Sequence, residues 1–96
     1  MKLADTSAGK SSEFKLYPNP ADNAIYAIPG NNTNDSANLN LVLITTLGQY
    51  VHTLYTGKAA YLMGNKLQLP NVASGLYLVY ILENNTPNQV IKLVIK

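Results

Sequence analysis

Ninety-six residues, 47% of them hydrophobic, suffice for one compact domain that buries roughly 60–65% of its unfolded surface. Seven Lys plus Arg stand against five Asp plus Glu, and the resulting net charge of +2 is too small and too scattered to hold a polyanion, which argues against a nucleic-acid partner. The absence of cysteine excludes a disulfide framework and a thiolate metal site.

The chain starts Met1-Lys2-Leu3-Ala4-Asp5, without the continuous apolar core of a signal peptide, and no apolar run reaches the length that spans a bilayer. For a secreted protein, the export signal is expected on sequence outside this chain. Residues 5–13 (DTSAGKSSE) are small and polar, so residues 1–13 read as a linker, tether or vector-derived segment, and residues 14–96 as the domain.

From Phe14 onward the periodicity is that of strands. Apolar or alternating runs cover residues 14–17, 24–28, 39–45, 50–55, 66–69, 75–82 and 89–95. Between them lie YPNPADN, PGNNTNDSAN, LGQ, TGK, PNVASG and ENNTPN, clusters whose residues set or tolerate turn dihedrals. Pro18 and Pro20 each fix φ and remove a donor, so Tyr17-Pro18-Asn19-Pro20 is expected to end the first strand in a stiff bend. Gly48, in Thr46-Leu47-Gly48-Gln49, falls where a residue able to take positive φ closes a hairpin, and Gly75 is expected to act similarly before the most apolar run. No stretch of a dozen residues carries an i, i+3, i+4 apolar stripe. Seven short runs without an intervening helix predict an all-β, seven-stranded antiparallel β-sandwich.

Alternation predicts the buried rows. Ile91, Leu93 and Ile95 oppose Lys92 and Lys96; Leu39, Leu41 and Leu43 oppose Asn40; Leu67 and Leu69 oppose Gln68. The 75–82 run differs, because Tyr77, Val79 and Ile81 face one way while Leu76, Leu78, Tyr80 and Leu82 form an equally apolar opposite row. With Val42, Ile44, Val90 and Val94 on the same outer side, this row needs a cover. Two readings follow. Either the 29–38 loop or the N-terminal tether shields it, or it docks a preceding domain, a second copy in weak self-association, or transport machinery. On the docking reading, replacing Leu78 and Tyr80 by Ser abolishes association without unfolding.

Catalysis finds little support. The single histidine, His52, alternates outward on its strand, and no histidine cluster supports zinc. The carboxylates are scattered, with nothing paired for acid–base work, and neither a phosphate-cradling glycine loop nor a GxSxG elbow occurs. Asp22 with Asn19 and Asn23 has the composition of a weak calcium turn, but these residue types favour turns in any case. The expectation is a protein without catalytic residues, metal or cofactor.

Four motifs in order, Tyr17-Pro18-Asn19-Pro20-Ala21, LVLITTLGQYV (residues 41–51), LPNVASGLYLVYI (69–81) and the basic, apolar IKLVIK (91–96), resemble the C-terminal sorting domain of the type IX secretion system. The resemblance spans residues 14–96 and implies an immunoglobulin-like sandwich that serves as a secretion signal. It implies transit through the periplasm of a Gram-negative bacterium, passage through an outer-membrane translocon, and a secreted or cell-surface destination. The implied partners are the translocon, a surface sortase that removes or processes the domain, and an upstream cargo domain. Tyr17, Pro18, Asn19, Pro20, Gly48, Gln49, Gly75, Tyr77, Lys92 and Lys96 carry the motifs. Turn geometry accounts for the Pro and Gly positions, whereas Lys92 and Lys96 are candidates for recognition or for guarding a strand edge. The alternative is an immunoglobulin-like or fibronectin-like accessory module binding carbohydrate or protein, which seven tyrosines support and the lack of Trp weakens.

Overall fold

The computed structural model describes residues 13–96; the proposed linker, apart from Glu13, lies outside the described residues. Among the described residues seven strands follow one another: β1 (Lys15–Tyr17), β2 (Ala24–Ile28), β3 (Asn38–Ile44), β4 (Tyr50–Lys58), β5 (Leu67–Gln68), β6 (Gly75–Glu83) and β7 (Thr86–Ile95), with a 3-10 turn at Ala59–Tyr61. They form two antiparallel sheets, one ordered β1-β2-β5 and the other β4-β3-β6-β7. An immunoglobulin constant-type sandwich puts its fourth strand in the sheet of the first, second and fifth. Here β4 pairs instead with β3 over its whole length, which makes the larger sheet four-stranded.

The core lies where alternation put it. Leu39, Leu41 and Leu43 of β3, Val79 and Ile81 of β6, and Leu93 and Ile95 of β7 are buried on the inner face of the larger sheet. They meet Ile25 and Ala27 of β2, Leu67 and Leu69 of the β5 region, and Phe14. Tyr77 and Ile91 are half-buried at the margin of the same core. Leu62, which follows the 3-10 turn, is wholly buried. It was not legible as core, because the short AAYLMGN segment around it has no strand or helix period.

Three details differ from the strand runs read from sequence. The β6–β7 connection is a two-residue turn in which Asn84 and Asn85 take φ of 52° and 66°, the left-handed pair that hairpins of this length require and that Asn tolerates. β7 therefore begins at Thr86, before Pro87, rather than at residue 89. Proline is admissible there because β7 is an edge strand and Pro87 sits at a register shift beside Ile81 and Leu82. On the opposite edge, β4 runs on to Lys58 and slips register twice against β3. These bulges break its alternation, so Leu54 is buried while His52 and Tyr50 are exposed.

The β3–β4 hairpin closes as the glycine pattern suggested. Gly48 has φ of +87° and donates its N–H to the Thr45 carbonyl at 2.9 Å, while the Thr45 N–H donates to the Gln49 carbonyl at 2.9 Å. The Thr45 hydroxyl oxygen accepts from the N–H groups of Leu47 and Gln49 at 3.3 and 3.1 Å, a side-chain turn that makes Thr45 as much a part of this connection as Gly48.

Candidate functional site

Two motifs far apart in sequence meet along the outer edge of β7. The Asn19 side chain donates its Nδ2–H to the Lys92 carbonyl at 2.9 Å and accepts the Val94 N–H on Oδ1 at 3.0 Å. Two residues on, the Ala21 N–H donates to the Val94 carbonyl and the Lys96 N–H to the Ala21 carbonyl, both at 2.8 Å, forming a parallel bridge between Ala21 and Ile95. Pro18 and Pro20 have no N–H to offer a ladder, so the side-chain amide of Asn19 supplies a donor and an acceptor where the prolines interrupt the backbone. Both Tyr17–Pro18 and Asn19–Pro20 bonds are cis. Farther up the same edge the Phe14 N–H donates to Gln89 Oε1 at 2.8 Å, and Gln89 Nε2 donates back to the Phe14 carbonyl at 3.4 Å. Residues 14–21 thus run parallel to β7 and cover its edge at both ends.

Sequence reading missed the roles of Gln89 and Phe14, although one signal was present. Gln89 shares the inward row of Ile91, Leu93 and Ile95, and a polar side chain on an inward row needs a partner. The Asn19 contact is specific enough to test. Asn19→Ala loses both bonds and is expected to cost about 1–2 kcal/mol in urea unfolding. Asn19→Asp keeps the acceptor but sets a carboxylate against the Lys92 carbonyl, which holds the carboxyl in its neutral form and raises its pKa in the folded state. Its stability is therefore expected to improve as pH falls through the carboxylate range, where the protonated oxygen becomes a donor. Equal stability of both variants and the parent at pH 7 would remove Asn19 from the clasp.

The remaining motif residues occupy separate places. Tyr17 stacks on Tyr26 with ring centroids 5.5 Å apart and planes inclined 19°, so each ring gives one face to the other. Gly75 opens β6 at φ of +150°. The half-buried Tyr77 donates its hydroxyl to the Ala73 carbonyl at 2.7 Å, tying β6 to the segment before it in the manner of a tyrosine corner. Gln49 belongs to the β3–β4 turn on the far side of the sheet. The Lys96 ammonium lies 3.8 Å from Asp22 with both side chains largely exposed, an ion pair of little energetic weight. In the turn weighed for calcium, the Asn19 oxygen is engaged by the Val94 N–H. On β4 the Tyr55 hydroxyl donates to the Lys58 carbonyl at 2.6 Å; burial, and secondarily Tyr61, pushes its pKa above the ordinary phenol value.

The outer face of the four-stranded sheet is a second feature. Register pairs Val94 with Leu76, Lys92 with Leu78 and Val90 with Tyr80 between β7 and β6, and on the other side of β6 pairs Leu78 with Ile44, Tyr80 with Val42 and Leu82 with Asn40 of β3. The central residues Val42, Ile44, Leu78, Tyr80 and Leu82 are half-buried by their neighbours, whereas Leu76, Val90 and Val94 remain 45%, 50% and 40% exposed. The 29–38 loop does not cover this face at its exposed end. It binds the 3-10 turn, with the Asp35 and Ala37 carbonyls accepting from Ala60 and Ala59. The tether, the other cover considered, lies outside the described residues.

A family model described as "Secretion system C-terminal sorting domain" matches residues 15–96, from the first residue of β1 to the final lysine. The chain belongs to this family. The sorting domain is the type IX kind, and the first and last of the four motifs that signalled it are the two that meet along β7. No curated protein and no solved structure matches the chain. A type IX sorting domain implies export to the cell surface or beyond, and interaction with type IX machinery and with a cargo domain. The family is not one of enzymes.

Proposed function

We propose that the domain directs a larger cargo protein from the periplasm of a Gram-negative bacterium through the outer-membrane translocon of the type IX system, after which a surface sortase removes or processes it. The family match over residues 15–96 carries this reading. The clasp between the Tyr17 to Ala21 motif and β7 supports it in physical terms: a folded signal needs its last strand held in one arrangement, and a covered edge does not recruit stray strands.

The test fuses residues 14–96 behind a periplasm-targeted fluorescent reporter, expressed in a host with the type IX system and in its translocon-null mutant. Reporter at the surface or in the medium only when the translocon is intact is the expected result. An intact, folded fusion held in the periplasm of both strains sinks the proposal.

A further inference from the structure

The outer face of the β4-β3-β6-β7 sheet carries an imbalance of charge as well as exposed apolar surface. Lys92 lies within it, flanked along β7 by Val90 and Val94 and paired across to Leu78, while Lys58 stands at the corner where β4 pairs with Asn38. Among the described residues, the ladder positions on this face include no carboxylate. Asp22 meets Lys96 instead, and Glu83 accepts a hydrogen bond from Asn88 at the hairpin end. Among the described residues the face thus joins an apolar centre to positive charge with no carboxylate at a facing ladder position.

Its size narrows the choice of occupant. Four strands at a spacing of about 4.8 Å and seven residues at about 3.4 Å each give roughly 19 by 24 Å, or about 450 Å². That is the whole face, with polar positions such as Asn40 and Lys92 included, and it falls short of the ~800 Å² per partner of a standard stable interface. A second copy is also disfavoured by charge, since it would bring more lysine and no acid to Lys92.

We infer that this face is a docking surface for a separate protein of the export pathway, one that lays an apolar strip over Leu76, Val90 and Val94 and sets a carboxylate against Lys92. The inference rests on the sorting-signal reading and names the chemistry of the partner that the signal meets. Docking is transient because the buried area is small, and the opposed charges fix register and speed the encounter. Leu78 and Tyr80 are poorer probes than their place in the apolar row suggests, since both are half-buried between strands and their loss also weakens the sheet. Val90, Val94 and Lys92 are exposed, and Val→Thr keeps shape and β-branching while adding a hydroxyl.

The test uses the reporter fusion with Lys92→Glu, Lys92→Arg, and the double variant Val90→Thr, Val94→Thr, each checked for an unchanged melting transition. Export is expected to fall at least tenfold with Lys92→Glu and several-fold with the double variant, and to stay near the parent level with Lys92→Arg. A photo-crosslinker at Leu76 is expected to give one discrete adduct in exporting cells that Lys92→Glu abolishes. Reversing the partner carboxylate nearest the crosslink to lysine should then restore export of Lys92→Glu. Parent-like export by both Lys92→Glu and the double variant overturns the inference while leaving the sorting reading intact. A dimer in sedimentation that the double variant dissolves assigns the face to a second copy and overturns it too. If the unsubstituted fusion is not exported, the sorting reading fails and this inference fails with it.

Discussion

Removal of residues 94–96 is expected to unfold the domain as well as to stop export. The deletion takes Ile95 out of the core, where it is 3% exposed, and losing a buried aliphatic side chain costs about 2–5 kcal/mol. It also takes the Val94 N–H from Asn19, the Val94 carbonyl from Ala21 and the Lys96 N–H from the Ala21 carbonyl, each bond being worth about 0.5–1.5 kcal/mol. Against a total stability of about 5–15 kcal/mol for a domain of ordinary size, most of the margin disappears. Circular dichroism should show a melting transition tens of degrees lower or absent. A truncated domain that melts like the parent would contradict the clasp.

An export defect in such a truncation therefore reports lost structure before it reports lost recognition. Lys96→Gln separates the two. Its side chain is 60% exposed and its ion pair with Asp22 spans 3.8 Å, so its stability should change by less than about 0.5 kcal/mol. A loss of export in Lys96→Gln would then belong to recognition.

The second large effect lies at the centre of the core. Leu41 is fully buried on β3, an interior strand, between Tyr55 of β4 and Ile81 of β6. Leu41→Ala should cost about 2–5 kcal/mol, because its neighbours belong to laddered strands and cannot collapse into the space. Val42, the next residue, points to the half-exposed outer face beside Thr53 and Tyr80, where Val42→Ala should cost no more than about 1.5 kcal/mol. Urea midpoints at constant m-value measure the contrast. If Val42→Ala proved the more damaging, the assignment of inner and outer faces would be reversed.

Period-two alternation was enough to locate the strands and most inner rows, because side-chain direction in a strand is a local property repeated every second residue. Leu39, Leu41, Leu43, Leu93 and Ile95 were legible for that reason, and Gly48 because few other residues take its φ at low cost. Ordered motifs were likewise enough to identify the sorting-domain family.

Much of the pairing was decided only in three dimensions. The β4 bulges reverse its local parity, and β4 joins β3 rather than the smaller sheet. The hairpin glycine Gly48 announced the β3–β4 pairing, but the bulges follow from no local pattern, since a bulge responds to the neighbouring strand. Asn19 reads in sequence as a turn residue between prolines, yet its partners are backbone groups 73 and 75 positions away. A side-chain amide carries no sign of which distant edge it will meet, and only the packing of the two sheets brings β7 within its reach. The positive face around Lys92 arises in the same way: alternation puts Val90, Lys92 and Val94 on one side of a strand, but only the ladder with β6 sets them against Leu76, Leu78 and Tyr80.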